Sequence, residues 1–135
     1  YVLQGDSGFE HRKKRRLRAR AREHGGFRVE VRRLWGLLEK DAHLCISKGE
    51  YCRLLLRVCK LVVPDFDEAV ARQTVEEDWK RDSAGKRRMG YADFFNAMFE
   101  LVDHWCPTAR GRDYAKMLRS IRQCVSCALI QKKDG

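Results

Sequence analysis

Two stretches of this 135-residue chain carry the same order of apolar and acidic positions, 43 residues apart. Shifting by that interval sets Ile46 on Met89, Glu50 on Asp93, Tyr51 on Phe94, Leu55 on Met98 and Val58 on Leu101. Each stretch follows one plan: a helical stripe, about twelve irregular residues, and a second helical stripe. The spacing confines the chain to helices joined in pairs, because no segment alternates apolar and polar residues with the period of a strand.

Five helical segments are expected beyond Gly26. The first carries Phe27, Val31, Leu34, Trp35 and Leu38 on one face. The second carries Tyr51, Leu54, Leu55, Val58, Cys59 and Val62, and must end near Val63, since Pro64 disfavours helical geometry in the residue before it. Asp65-Phe66-Asp67-Glu68 is an acidic, capped start for a third helix, whose face is Val70, Val75 and Trp79. A turn at Asp82-Ser83-Ala84-Gly85 precedes a fourth, with Phe94, Met98, Leu101 and Val102, closed by Pro107. The last shows Tyr114, Met117, Leu118, Ile121, Val125 and Ala128.

A repeated helix–loop–helix with an apolar residue at the eighth loop position and an acid at the twelfth resembles the EF-hand family, over residues 27–105. The resemblance implies an all-α fold of paired EF-hand-like motifs, 27–63 and 65–105, with an extra C-terminal helix over 108–130 and a basic N-terminal extension over 1–26. It also implies a small antiparallel bridge between the loops. The first loop then runs from Glu39 to Glu50, with Glu39, Asp41, Ser47 and Glu50 as the residues able to offer calcium oxygen. His43 stands at the fifth position, and Leu44 replaces the sixth-position glycine, where a positive φ is costly for a branched side chain. The second loop, Asp82 to Asp93, keeps acids only at its ends. Ala84 and Lys86 stand at ligand positions, Arg87 replaces the glycine, and Lys86, Arg87 and Arg88 repel a divalent cation. Loops that have lost most of their ligands imply a module working without calcium, with a weak calcium sensor acting through Glu39, Asp41 and Glu50 of the first loop as an alternative. Pro64-Asp65-Phe66-Asp67, Glu77-Asp78-Trp79, Asp82-Ser83 and Phe99-Glu100-Leu101 are further similar to divergent EF-hand modules of ciliary and flagellar proteins.

The net charge of +10 is concentrated rather than spread. Arg12, Lys13, Lys14, Arg15, Arg16, Arg18, Arg20 and Arg22 fall within residues 12–22, a tract read as capable of helix but unpacked. Residues 1–11 are read as a polar, aperiodic linker or disordered lead, residues 1–26 together as a flexible extension, and Gly25-Gly26 as the boundary with a domain over 27–135. Clustered cations suit an acidic protein surface, a nucleic acid or chromatin, an anionic lipid or a nuclear-import receptor, or form a solvated tail; the ciliary resemblance implies a tubulin-rich axoneme as the acidic surface. No aromatics are interleaved for base stacking, and no zinc-finger or RNA-binding signature is present.

Six cysteines in a helical chain of this size point to a reducing, intracellular setting; the ciliary resemblance implies the cytoskeleton, and the basic tract leaves the nucleus as the alternative. Cys52 and Cys59 fall in the second helix's stripe. Cys124-x-x-Cys127 with His104-x-Cys106 has the residue types of a zinc site, and His43, Cys45 and Cys52 form a weaker set, yet Cys124 beside Val125 is more simply a core residue. No phosphate loop, nucleophile elbow or metalloprotease motif is found, so no enzyme is expected. No apolar run is long enough to span a membrane. The sequence opens on Tyr1 rather than Met, consistent with an excerpt or a processed chain, and no signal peptide is read from it. The final stripe could fill the groove of its own domain or be offered to a partner helix.

Overall fold

The computed structural model describes residues 2–134, with side chains over 11–127. It is a helical protein: α1 (Val2–Glu23), α2 (Gly25–Leu37), α3 (Lys48–Val62), α4 (Glu68–Asp82), α5 (Tyr91–Trp105) and α6 (Gly111–Asp134). Two short strands, β1 (Ile46–Ser47) and β2 (Arg88–Met89), pair antiparallel and form the sheet structure among the described residues. Their register sets Ile46 opposite Met89, the two positions that the 43-residue shift superimposes. Both side chains are fully buried, so the bridge is pinned by apolar packing as well as by backbone hydrogen bonds.

The helix starts follow local chemistry. The His24 imidazole accepts the Phe27 N–H at 3.2 Å to cap α2, and Ser47 Oγ accepts the Glu50 N–H at 3.1 Å to cap α3. Asp67 caps α4 by accepting from the Ala69 and Val70 N–H groups at 2.9 and 3.2 Å. Each interaction satisfies a backbone donor that has no partner within its helix. α3 stops one residue short of Val63, as Pro64 requires.

α2 packs on α5 and α6, α3 on α4 and α6, and α1 on α6 and α2. Phe27, Leu34, Tyr51, Phe94, Met98, Tyr114 and Leu118 form the centre of one continuous core. Phe27 meets Phe95, Phe99 and Tyr114 edge-on, with centroids 5.7 to 6.1 Å apart, the arrangement favoured by ring quadrupoles. The last stripe is internal: Tyr114, Leu118, Ile121 and Val125 are buried and Met117 is partly buried, while the Ala128 side chain lies outside the described residues. Gly111 opens α6 so close to His24 that a Cβ there would fall 2.6 Å from the histidine's Cβ and Cγ.

Glu30 is the buried charge of this core. Its carboxylate is 1% exposed and receives Arg33 at 3.1 Å, Arg119 at 3.2 Å and Arg122 at 2.9 Å, which ties α2 to α6. Burial opposes ionisation of Glu30, but the hydrogen bonds from Arg122 and Arg119 outweigh it and leave the carboxyl below its ordinary range.

Three expectations are corrected. The tract and the lead before it form a continuous helix rather than an unpacked extension, and its last turns dock: Ala21 is buried, and Arg18 reaches Asp103 at 3.2 Å. The weak amphipathicity of α1 hid this, since only Leu17 and Ala21 among its described side chains turn inward appreciably without charge. Val70 is exposed, and Ala71 takes its place on the inner face of α4. Cys124 is exposed as well, because the face of α6 that packs inward runs through Ile121 and Val125.

Candidate functional site

The two loops lie side by side through the β1–β2 bridge, and a shallow cavity of about 870 Å3 opens between them. Leu44 sits at the sixth position of the first loop with φ 59°, 72% exposed. The backbone turn that ordinarily calls for glycine is therefore kept, at a conformational cost of about 1–2 kcal/mol. Asp41 closes that turn: its Oδ1 accepts the His43 N–H at 2.8 Å and the Cys45 N–H at 3.1 Å. Its other oxygen faces Arg88 of β2 at 3.4 Å. The Cys45 N–H, then the His43 N–H and the Arg88 guanidinium hold the Asp41 carboxyl below its ordinary range.

The remaining first-loop oxygens are engaged separately. Ser47 Oγ is used as the α3 cap, and Glu50 pairs with Arg53 at 2.9 Å while accepting the Glu39 N–H at 3.4 Å. The Glu39 residue itself is exposed. In the second loop, Asp93 is met by Lys86 of the same loop at 3.5 Å. Asp82 remains in α4, where its carboxylate accepts the Tyr51 hydroxyl and pairs with Arg81 at 3.1 Å. Burial and that hydrogen bond push the Tyr51 phenol far above its ordinary range. Lys86, Arg87 and Arg88 are all exposed along the cavity.

The basic tract divides in two. Arg12, Lys13, Lys14, Arg15, Arg16 and Arg20 are exposed on α1. Arg18 is tied to Asp103, which also accepts the Tyr114 hydroxyl, and Arg22 lies over Phe95 and Phe99 at 5.2 and 5.3 Å from the ring centroids. The cysteine and histidine sets are not gathered: among the described residues, no group of three or more His, Cys, Asp or Glu side chains is placed to hold a metal ion. His104 stands edge-on to Trp105, Cys127 is exposed and Cys106 is half-buried. Burial raises the thiols of Cys52 and Cys59, which keeps them protonated.

Sequence reading missed the partners of Arg28 and Arg32, which lie over Phe95 and Tyr91 at 5.7 and 4.3 Å. A signal was available, because Arg28/Arg32 and Tyr91/Phe95 are each four residues apart and so share a helix face. Among the described residues, no helix is long and apolar enough to cross a membrane. No protein-family model matches the chain, and neither a curated protein nor a solved structure shows significant similarity to it.

Proposed function

We propose that this chain is a non-catalytic protein-interaction module made of two EF-hand-like helix–loop–helix units, whose loops are neutralised by the chain's own cations instead of calcium. The observation that carries this reading is the pair of ion contacts Arg88–Asp41 and Lys86–Asp93. They set a guanidinium and an ammonium on the third-position acid of one loop and the twelfth-position acid of the other. A divalent ion would have to displace these groups while facing the adjacent charge of Arg87, and it would find Glu50 and Ser47 otherwise engaged. The Ile46–Met89 bridge and the positive φ at Leu44 support the EF-hand-like reading, since both fall where that plan requires them.

The module works as a platform. Its exposed tract on α1 and the cations along the loop cavity favour an acidic protein assembly, for which a tubulin filament of the cytoskeleton or cilium is the proposed example. Thermal unfolding with calcium and with a chelator tests the loops. A working site at 100 times its Kd would add about 2.7 kcal/mol, on the order of ten degrees in Tm for a domain of this size. The expected result is no shift, together with co-sedimentation with polymerised tubulin that weakens as salt rises. A large calcium-dependent stabilisation overturns the reading.

A further inference from the structure

A second recess, of about 690 Å3, lies between the end of α1, the outer face of α2 and the start of α5. Its floor is aromatic, formed by half-buried Tyr91 and Phe95. Its walls carry four arginines, Arg22, Arg28, Arg32 and Arg33, against one carboxylate, Glu23. Arg32 lies 4.3 Å from the Tyr91 centroid, and Arg22 and Arg28 lie 5.2 and 5.7 Å from that of Phe95. A guanidinium held by the ring quadrupole loses little further freedom when its N–H groups engage an anion, and its fork matches a carboxylate bidentately. Glu23 meets Arg28 at 3.0 Å in a pair exposed on both sides, which an incoming carboxylate can share or replace at little cost, and Glu30 takes up Arg33 at 3.1 Å. Arg32 has no carboxylate within ion-pair distance among the described residues. Between the arginines, Val29 is 48% exposed, and exposed Ala92 adds a second small apolar surface.

We infer that this cleft binds an acidic segment of a partner protein, with carboxylates on Arg28 and Arg32 and an apolar side chain seated on Val29. Charge complementarity and spacing argue for it. Positions four apart on a helix lie about 5–6 Å from each other. Alternate residues of an extended chain lie about 6.6 Å apart, so acidic residues two apart reach both arginines. A single-stranded nucleic acid fits less well, because base stacking needs an aromatic face and these rings are already overlaid by guanidinium groups. The inference rests on the protein-interaction reading but moves recognition from the exposed charges of the tract to a shaped site.

The test is fluorescence anisotropy with a short labelled peptide alternating glutamate and leucine, a serine–leucine control, and a labelled oligothymidine. The unmodified chain is compared with Arg28→Gln/Arg32→Gln, with Arg32→Lys, and with a tract variant in which Arg12, Lys13, Lys14, Arg15 and Arg16 become Ser. Both cleft arginines are exposed, so circular dichroism should show unchanged folding, and the Arg32→Lys variant keeps the charge in any case. The expected result is binding of the acidic peptide that falls about tenfold in the double variant, falls severalfold in Arg32→Lys, and changes less than about threefold in the tract variant. Full binding by the double variant with loss in the tract variant overturns the cleft and leaves the interaction module standing. Tighter binding of oligothymidine than of the peptide overturns the partner class. Absence of binding to every probe removes the acidic-partner reading along with the cleft.

Discussion

Replacing Glu30 by Gln keeps the shape of the side chain and removes the one charge that three arginines share. A hydrogen bond to a buried charged group contributes about 1.5–3 kcal/mol. Arg122 is 22% exposed and keeps that full share, whereas Arg33 and Arg119 are more than half exposed, so each falls to about 0–1 kcal/mol. The total is about 1.5–5 kcal/mol, which takes in the range for breaking a buried ion pair. Urea unfolding followed by circular dichroism at neutral pH should show a midpoint lower by about 0.8–2.5 M, at an m-value of about 2 kcal/mol/M that the substitution leaves unchanged. The folded-state pKa of Glu30 is depressed, so its stabilisation is present above the unfolded value of about 4.3 and is lost as pH falls through the lower folded value. The gap between the two proteins should therefore narrow in acid. A Gln variant within about 0.5 kcal/mol of the unmodified chain at neutral pH would refute the assignment of α6 docking to this cluster.

Two further outcomes follow from strain and burial. Leu44→Gly should raise stability by about 0.5–1 kcal/mol in the same titration, because relief of the positive φ exceeds the added entropy of an unfolded glycine; a loss of stability would show that Leu44 packs. Brief alkylation at mildly alkaline pH, read by peptide mass spectrometry, should label Cys124 and Cys127 well before Cys52 and Cys59, and equal rates would contradict the burial that raises the latter pair.

The inner helices were legible because their information is periodic. Phe27 to Leu38 and Tyr51 to Val62 repeat apolar side chains once per turn, and Pro64 and Asp67 punctuate them locally. The pairing of the loops was legible as what the EF-hand resemblance implies for the eighth loop positions, Ile46 and Met89, and the two do lie opposite each other and buried. α1 was less legible, since its docking relies on a small residue, Ala21, and on arginines that look solvated in any linear reading. Long cationic side chains bury their stems while keeping their heads polar, which composition alone does not reveal. Glu30 was hidden in the same way. A lone acid within an apolar stripe has no meaning until Arg119 and Arg122, about ninety residues later in the chain, arrive from α6. The candidate ligands Glu39, Asp41, Ser47 and Glu50 were found by position; Glu39, Ser47 and Glu50 are engaged within their own loop and the start of α3, whereas Asp41 also meets Arg88 from the other loop, which no linear reading places there.

The ion contacts of the loops have a consequence for control. A receptor that borrows its cation from solution reports how much of that cation the surroundings hold, and chelation can empty it. On the proposed reading, Arg88 and Lys86 stand in for the ion, one for each carboxylate they face, so occupancy is set at synthesis and has no concentration term. What remains adjustable is shielding. Both contacts are solvent-exposed, so mobile ions of either sign weaken them over a Debye length of about 8 Å at physiological ionic strength. On the proposed reading, such a pair of loops would not answer a calcium pulse and would soften with the saltiness of its surroundings.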